Sequence, residues 1–521
     1  MWAARSSIAG TLMWVGLVGF GCNSLIGLDE LTIGEHTEDI SDECNSNLEC
    51  AQRLMDAVGD SELVPAVCLK EERRCVRLLT QDCDTLTGDY TDDDAIVIGS
   101  LFSTKGSQAT TNIARQQSAM LAVEQINRAG GVPAHGAKRP RELVLVSCDE
   151  ATNLDRASEH LVERLGVPAI VGPNTSSDTL RLSTEFTVPN KTVVMTPTGV
   201  ASSITALDDD GFTYQMVPSD VQRAPLMIEQ INDMESFLKE ERELSHVKLA
   251  IIYRDDALGI GTRTALNELV LNERPLADSI NFGNHVLIDA YDFSRDDQQE
   301  IVSKHVEFAP DIVVLAGTAE AITDVLVPLE EQWTAEHRPE YVGIDSVKVP
   351  ELLAAVSENE GLRRRMRGTG IMPSPESQAV FNAFKVDYEI RYPDSSAGTS
   401  GTGPSYDAVY ATAFALAATR DEPVTGRSIV KGLKQLSGGE TAVPVGATSV
   451  LAGFRELGDG RSINAIGTFL PLEWNDAGAP VGATLQMWCI GTVAGEPRYQ
   501  PSGLTYDIKQ GKSLGEYVPC E

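Results

Sequence analysis

Hydroxyl-bearing turns follow short aliphatic runs at three places in the sequence. Ser103 comes after AIVIGSLF (95–102), Thr175 and Ser176 after AIVG (169–172), and Thr198 with Gly199 after TVVMT (192–196). An aliphatic run that breaks into a turn and then into an amphipathic segment reads as strand, loop and helix. Free N–H groups at such a helix start, beside the hydroxyls of Thr175 and Ser176, suit a carboxylate, because the helix N-terminus carries partial positive charge. The same two residues serve equally well as helix caps. Thr198 and Gly199 serve equally well as turn residues.

A second set follows the later runs. Tyr253 ends KLAIIY (248–253), Thr318 follows DIVVLAG (311–317), and Asp345 follows YVGI (341–344). An amino-acid ligand needs an acceptor for its ammonium, ideally a buried carboxylate whose charge the ligand offsets. Asp345 fits by position, with Glu320 in reserve; either is otherwise an ordinary surface acid. Tyr253 offers a ring either to the ligand or to the core. In open α/β sheets ligands gather outside the carboxyl ends of the strands, and all these residues stand at such ends.

Enzyme chemistry lacks comparable support. QGKS (510–513) ends like a P-loop, but Tyr506 holds the first glycine position and no aliphatic strand precedes it. SIVK (428–431) has no companion SDN or KTG, GIGTRT (259–264) lacks the third glycine of a dinucleotide loop, and neither HExxH nor GxSxG occurs. Without a CxxC, and with seven scattered histidines, no zinc site is expected. The expectation is a binding protein with no catalytic residues, cofactor or metal.

The elements that must position these residues follow from composition and pattern. At roughly 100–200 residues per domain, 521 residues make three or four domain-sized units. A hydrophobic fraction of 42% with 23% charged residues is globular usage, and 44 glycines point to a turn-rich α/β protein rather than a bundle. The net charge of −34 repels phosphate backbones and anionic headgroups, which excludes nucleic acid as a partner. From residue 95 onward, aliphatic runs alternate with amphipathic segments, as in βαβ units. The segment 112–128 spaces Ile113, Met120, Val123 and Ile126 at helical intervals, and Gly130-Gly131 stops it. More than six such strands and no fixed-period repeat predict two lobes.

The amino terminus points outside the cytoplasm. Arg5 and the apolar run 8–20 form a signal-peptide pattern over 1–21; about 20 Å of helix is too short for a ~30 Å bilayer core. Gly21 before Cys22 is similar to the bacterial lipobox, which implies cleavage, lipidation of Cys22 and a membrane contact through that anchor alone. Gly19 stands where an aliphatic residue is usual, and ordinary secretion is the alternative. An acidic tether (22–43) and a cysteine-rich segment with an acidic linker (44–94) follow. Apart from Cys22, eight cysteines remain, an even number suited to an oxidising compartment. Cys489 and Cys520 are expected to pair, as are Cys83 and Cys148. Cys44, Cys50, Cys68 and Cys75 leave three connectivities open.

Six segments in order, AMLAVEQINRAGGV (119–132), AIVGPNTSSDT (169–179), TVVMTPTGVAS (192–202), YQMVPSD (214–220), IIYRDDALGIG (251–261) and SYDAVYATAFALA (405–417), resemble the type I periplasmic binding proteins. The likeness is to the leucine/isoleucine/valine-binding and receptor-ligand-binding group and covers roughly 95–495. It implies an α/β fold of two doubly wound parallel-sheet lobes joined by three hinge crossings, behind a small disulfide-rich segment. Lobe 1 is expected at 95–217 and 374–450, lobe 2 at 218–373 and 451–500, and a tail at 501–521. VPSD (217–220) and GTGIMPSP (368–375) are expected as crossings, and 469–490 as a closing hairpin. The resemblance also places Ser/Thr ligands at 175–176.

The implied function is an exported solute-binding lipoprotein on the periplasmic face of a membrane, handing its ligand to an ABC permease. The alternative keeps the fold but signals to a partner protein. Many members carry an aromatic where this chain has Leu258 and an arginine where it has Gln215. The expected ligand is therefore a small polar metabolite, an amino acid or amide, rather than leucine, isoleucine or valine carried over directly. Asp407, near a helix start, is explained by the helix dipole without a ligand.

Overall fold

The computed structural model describes residues 43–521, apart from 107, 134–138, 293–297 and 421. The expected signal peptide, Cys22 and the tether up to residue 42 lie outside the described residues. Among those described, no helix is long and apolar enough to cross a membrane.

The cysteine-rich segment folds as a helix, Asn47–Val58, on a two-stranded hairpin of Ala66–Leu69 and Arg74–Arg77. Disulfides Cys44–Cys68 and Cys50–Cys75 close it. So small a unit has little core of its own. It borrows one: Val67, Val76 and Leu78 pack in one cluster with Leu101, Val146, Leu161 and Ile170 of the neighbouring lobe. Cys83–Cys148 adds a covalent tie to that lobe.

The first lobe is built on a six-stranded sheet in the order Thr85–Thr87, Leu143–Asp149, Ile96–Phe102, Ala169–Val171, Val193–Thr196, Thr213–Gln215. All pairs are parallel except the first, which is antiparallel. Uniform aliphatic strands such as LVLVSCD, buried along their whole length, are what a parallel sheet covered on both faces requires. Helix Thr402–Thr419 is buried at every position, including Tyr406 and Tyr410, whose hydroxyls both donate to Gln125 Oε1.

The second lobe holds an eight-stranded sheet. Val286–Tyr291, Leu249–Arg254, Ile312–Ala316, Glu340–Gly343 and Met366–Met372 run parallel; Thr484–Val493, Glu496–Asp507 and Lys512–Leu514 extend it antiparallel. The chain crosses between lobes three times: before helix Asp220–Glu241, before helix Gln378–Arg391, and between Ala483 and Thr484.

Three details differ from the sequence expectation. Residues 451–482 stay with the first lobe, where Phe454, Leu457, Ile463, Leu470 and Leu472 join its core. Their apolar side chains face helix Thr402–Thr419 and its neighbours, so the third crossing comes about thirty residues later than the expected boundary at 450. The turn at 475–478 reverses the chain with an isolated bridge, Trp474↔Pro480, and no named strand pair; the long hairpin turns instead at Ala494-Gly495, both at positive φ. The expected tail contributes two strands, and Cys489–Cys520 fastens its end.

Candidate functional site

The loops leaving the carboxyl ends of the two sheets meet at the first crossing. Ser219 caps helix Asp220–Glu241 in a reciprocal capping box with Gln222. Asp220 N–H donates to Val200 O, and Asp220 Oδ1 accepts from Ser202 N (3.1 Å) and Val221 N (2.8 Å). Gly261, in helix Ala257–Ala265 of the second lobe, lies against both Asp220 Oδ2 and Ala201. Burial pushes the Asp220 carboxyl up to about 6, and its Oδ2 has no hydrogen-bond partner among the described residues.

On the first-lobe wall the hydroxyls are largely engaged by the protein itself. Thr175 caps helix Ser176–Leu182, accepting from Asp178 N at 3.0 Å and donating to Asp178 Oδ2. Ser176 is buried and its Oγ accepts the N–H groups of Val200 and Ala201, both at 3.1 Å. Thr198 donates to Asn174 O, and Gly199 N donates to Thr196 Oγ1. Buried Gln215, where an arginine was noted as common, donates to Gly199 O and Ala201 O, bracing the same loop. Ser103 donates to Glu150 Oε1 at 2.9 Å.

Glu150 was not expected at the site. It sits at the first position after strand Leu143–Asp149, buried, with Oε2 unpartnered among the described residues; burial, with Asp178 adding repulsion, pushes it up to about 8. Arg115 supplies the nearby opposing charge, lowered to about 10 by burial, and bonds Ser400 O and Asn112 Oδ1. Asn112 Oδ1 also accepts from Asn174 Nδ2 at 2.7 Å, which joins this cluster to the 174–176 loop.

On the second-lobe wall, Thr318 and Glu320 form one network with Arg254 and Tyr291. Thr318 N donates to Glu320 Oε1 (2.9 Å), and Arg254 Nη1 reaches Thr318 Oγ1 (3.1 Å) and Glu320 Oε1 (3.2 Å). The Thr318 bonds and Arg254 together outweigh burial and hold the Glu320 carboxyl below its ordinary range. Asp345 pairs with Arg223 at 3.7 Å. Tyr253 is half-buried and packs on the second-lobe core.

The structure thus gathers Thr175, Ser176, Thr198 and Gly199 around Asn174, with Ser103 tied to Glu150, and places Thr318 and Asp345 beside arginines. Sequence reasoning missed Glu150, Arg115, Arg223 and Arg254. Only Arg254 had a local signal, since it ends an aliphatic strand. Asp407 lies in the second turn of its helix rather than at the start, and its Oδ2 accepts from Thr468 N and Oγ1; this clamp replaces the helix-dipole reading.

A family model described as periplasmic binding protein matches residues 95–456. No curated protein matches the sequence. Among solved structures, the isoleucine complex of the branched-chain amino acid transporter substrate-binding protein LivJ from Streptococcus pneumoniae is 16% identical, covering 78% of this chain and 99% of its own, with a TM-score of 0.55. The leucine-binding protein LivK from Thermotoga maritima is 14% identical over 78% and 98%, with a TM-score of 0.55. An ABC-transporter solute-binding protein from R. palustris, in complex with 4-hydroxybenzoate, is 12% identical over 81% and 98%, with a TM-score of 0.54. Likeness at these identities is likeness of fold.

Proposed function

The chain belongs to the periplasmic binding protein family, and we propose that it is an exported, lipid-anchored solute-binding protein that closes its two lobes on a small polar metabolite, an amino acid or amide, for delivery to an ABC permease. The observation that carries this reading is the pairing of charges at the strand ends. Each lobe presents both signs there, Arg115 and Glu150 on one, Arg223 and Arg254 with Asp345 and Glu320 on the other. A ligand bearing an ammonium and a carboxylate on one small body matches such walls, and it favours the closed state because it touches both lobes only there. The isoleucine and 4-hydroxybenzoate seen in the two relatives share a carboxylate, the group an amino acid would bring to the arginines. Glu150, with an unpartnered oxygen, is the acceptor we assign to the ammonium in place of the arginine-paired Asp345. No catalytic step is part of this function.

Thermal-shift measurements across amino acids, their amides and substituted benzoates test it. Stabilisation by an amino acid or an amino-acid amide, lost in Glu150→Gln, supports the reading; stabilisation by benzoates alone overturns the ammonium assignment. A Cys22→Ser chain that stays with the membrane fraction argues against the lipid anchor.

A further inference from the structure

A second cavity, of about 560 Å³, lies on the flank of the first lobe along its edge strand, and none of the cleft residues described above lines it. Its walls carry Asp208, Asp209 and Asp210 from one loop and Asp476 from the turn after Trp474, against a single lysine, Lys434. Tyr214 and Trp474 supply the aromatic surface, with ring centroids 5.6 Å apart and planes at 78°.

Trp474 Nε1 donates to Gln215 O at 2.8 Å, and the Asp209 carboxylate accepts the N–H groups of Gly211 and Thr213. Tyr214 is only 5% exposed, its hydroxyl is not hydrogen-bonded by any described residue, and it lines the cavity. That hydroxyl end lies beside Gly211 of the same wall, and burial together with Asp209 and Asp476 holds its proton in place. A phenol oxygen that opens on the cavity can accept a hydrogen bond from a guest.

The cations present are displaceable. Lys434 pairs with Asp476 at 3.7 Å and Arg427 with Asp210 at 3.6 Å, all four side chains being exposed, and such pairs contribute little. A metal ion does not fit. Among the described residues, the one group whose ligand atoms converge is Cys44, Cys50 and Cys68, all held in disulfides, so these aspartates are spread around the cavity rather than gathered on a point. Spread acids, an aromatic wall and a volume in the range of small-ligand sites call for an elongated organic cation.

We propose that this flank cavity binds a small linear polyamine, one ammonium donating to the Tyr214 hydroxyl oxygen between Asp209 and Asp476 and the methylenes lying against Trp474.

Isothermal titration of the full exported chain with spermidine, at roughly physiological salt to screen diffuse attraction, tests it. One site is expected, weakened about tenfold by Tyr214→Phe, which removes a hydrogen bond to a charged group but no charge. Asp476→Asn, at a fully exposed position that carries no folding risk, should weaken it similarly. Spermidine affinity unchanged in both variants, or calcium chloride competing at the same concentration, overturns the proposal.

Discussion

The backbone of Gly261 lies directly against the carboxylate of Asp220, with no room for a side chain between them. Asp220 opens the helix after the first crossing and holds Ser202 and Val200 of the first lobe, while Gly261 belongs to the second lobe and also meets Ala201. One glycine therefore sets how closely helix Ala257–Ala265 approaches Asp220 beside the hinge.

Gly261→Ala should force helix Ala257–Ala265 and the Asp220 carboxylate apart beside the first crossing. Overpacking of this kind costs roughly 1–3 kcal/mol, and the strain is relieved by opening the lobes. Small-angle scattering should show a larger radius of gyration, and ligand affinity should fall. Unchanged scattering and affinity would show that the contact does not govern closure.

Thr175 and Ser176 are adjacent but do different work, and alanine substitutions should separate them. Thr175 is exposed and caps a helix, so Thr175→Ala should lower stability by about 1 kcal/mol and leave ligand affinity intact. Ser176 is buried and holds two backbone N–H groups of the 200–201 loop, so Ser176→Ala should lower both. Chemical denaturation read beside titration distinguishes them; equal affinity losses would place the Thr175 hydroxyl on the ligand.

The alternation of aliphatic runs made the parallel strands legible: 143–148, 169–172 and 311–317 were expected and Leu143–Asp149, Ala169–Val171 and Ile312–Ala316 formed. Fully buried strands read plainly because their pattern is continuous. Thr213–Gln215 and Met366–Met372 did not, since short or glycine-broken strands acquire their identity from neighbours already in the sheet. The late third crossing was hidden for a similar reason. Residues 451–482 are apolar enough for either lobe, and only their packing against Phe414 and its helix decides. At the site, sequence located the loops but not the partners. Glu150 and Arg115 stand on separate elements, and nothing local marks a carboxylate that the fold buries with one oxygen unpaired.

Cys83–Cys148 closes 65 residues and ties the small amino-terminal module to the first sheet. The paired variant Cys83→Ser with Cys148→Ser should lower stability by about 2–4 kcal/mol. Because the module shares a cluster with Leu101 and Val146, limited proteolysis should then cut near residue 80 before it reaches the lobes. A cleavage pattern identical to that of the parent protein would show that the apolar contacts alone hold the module.

Asp407 carries the clearest pH prediction. Its Oδ2 is fixed by Thr468, its Oδ1 has no partner among the described residues, and burial pushes it up to about 7. In the unfolded chain its carboxyl titrates near 3.9. Between those values the folded protein keeps a proton that the unfolded chain has released, so stability falls as pH rises through that window and the loss is complete above about pH 7. A shift of this size corresponds to a few kcal/mol. Asp407→Asn retains an oxygen for the Thr468 bonds and removes the titration. Asp220 and Glu150 are shifted the same way and remain in both proteins, so the difference between the two stability profiles isolates Asp407. That difference should grow in favour of the variant from about pH 4 to pH 7 and then level off. Parallel profiles across the window would mean that Asp407 stays ionised in the folded protein and that an unseen donor satisfies Oδ1.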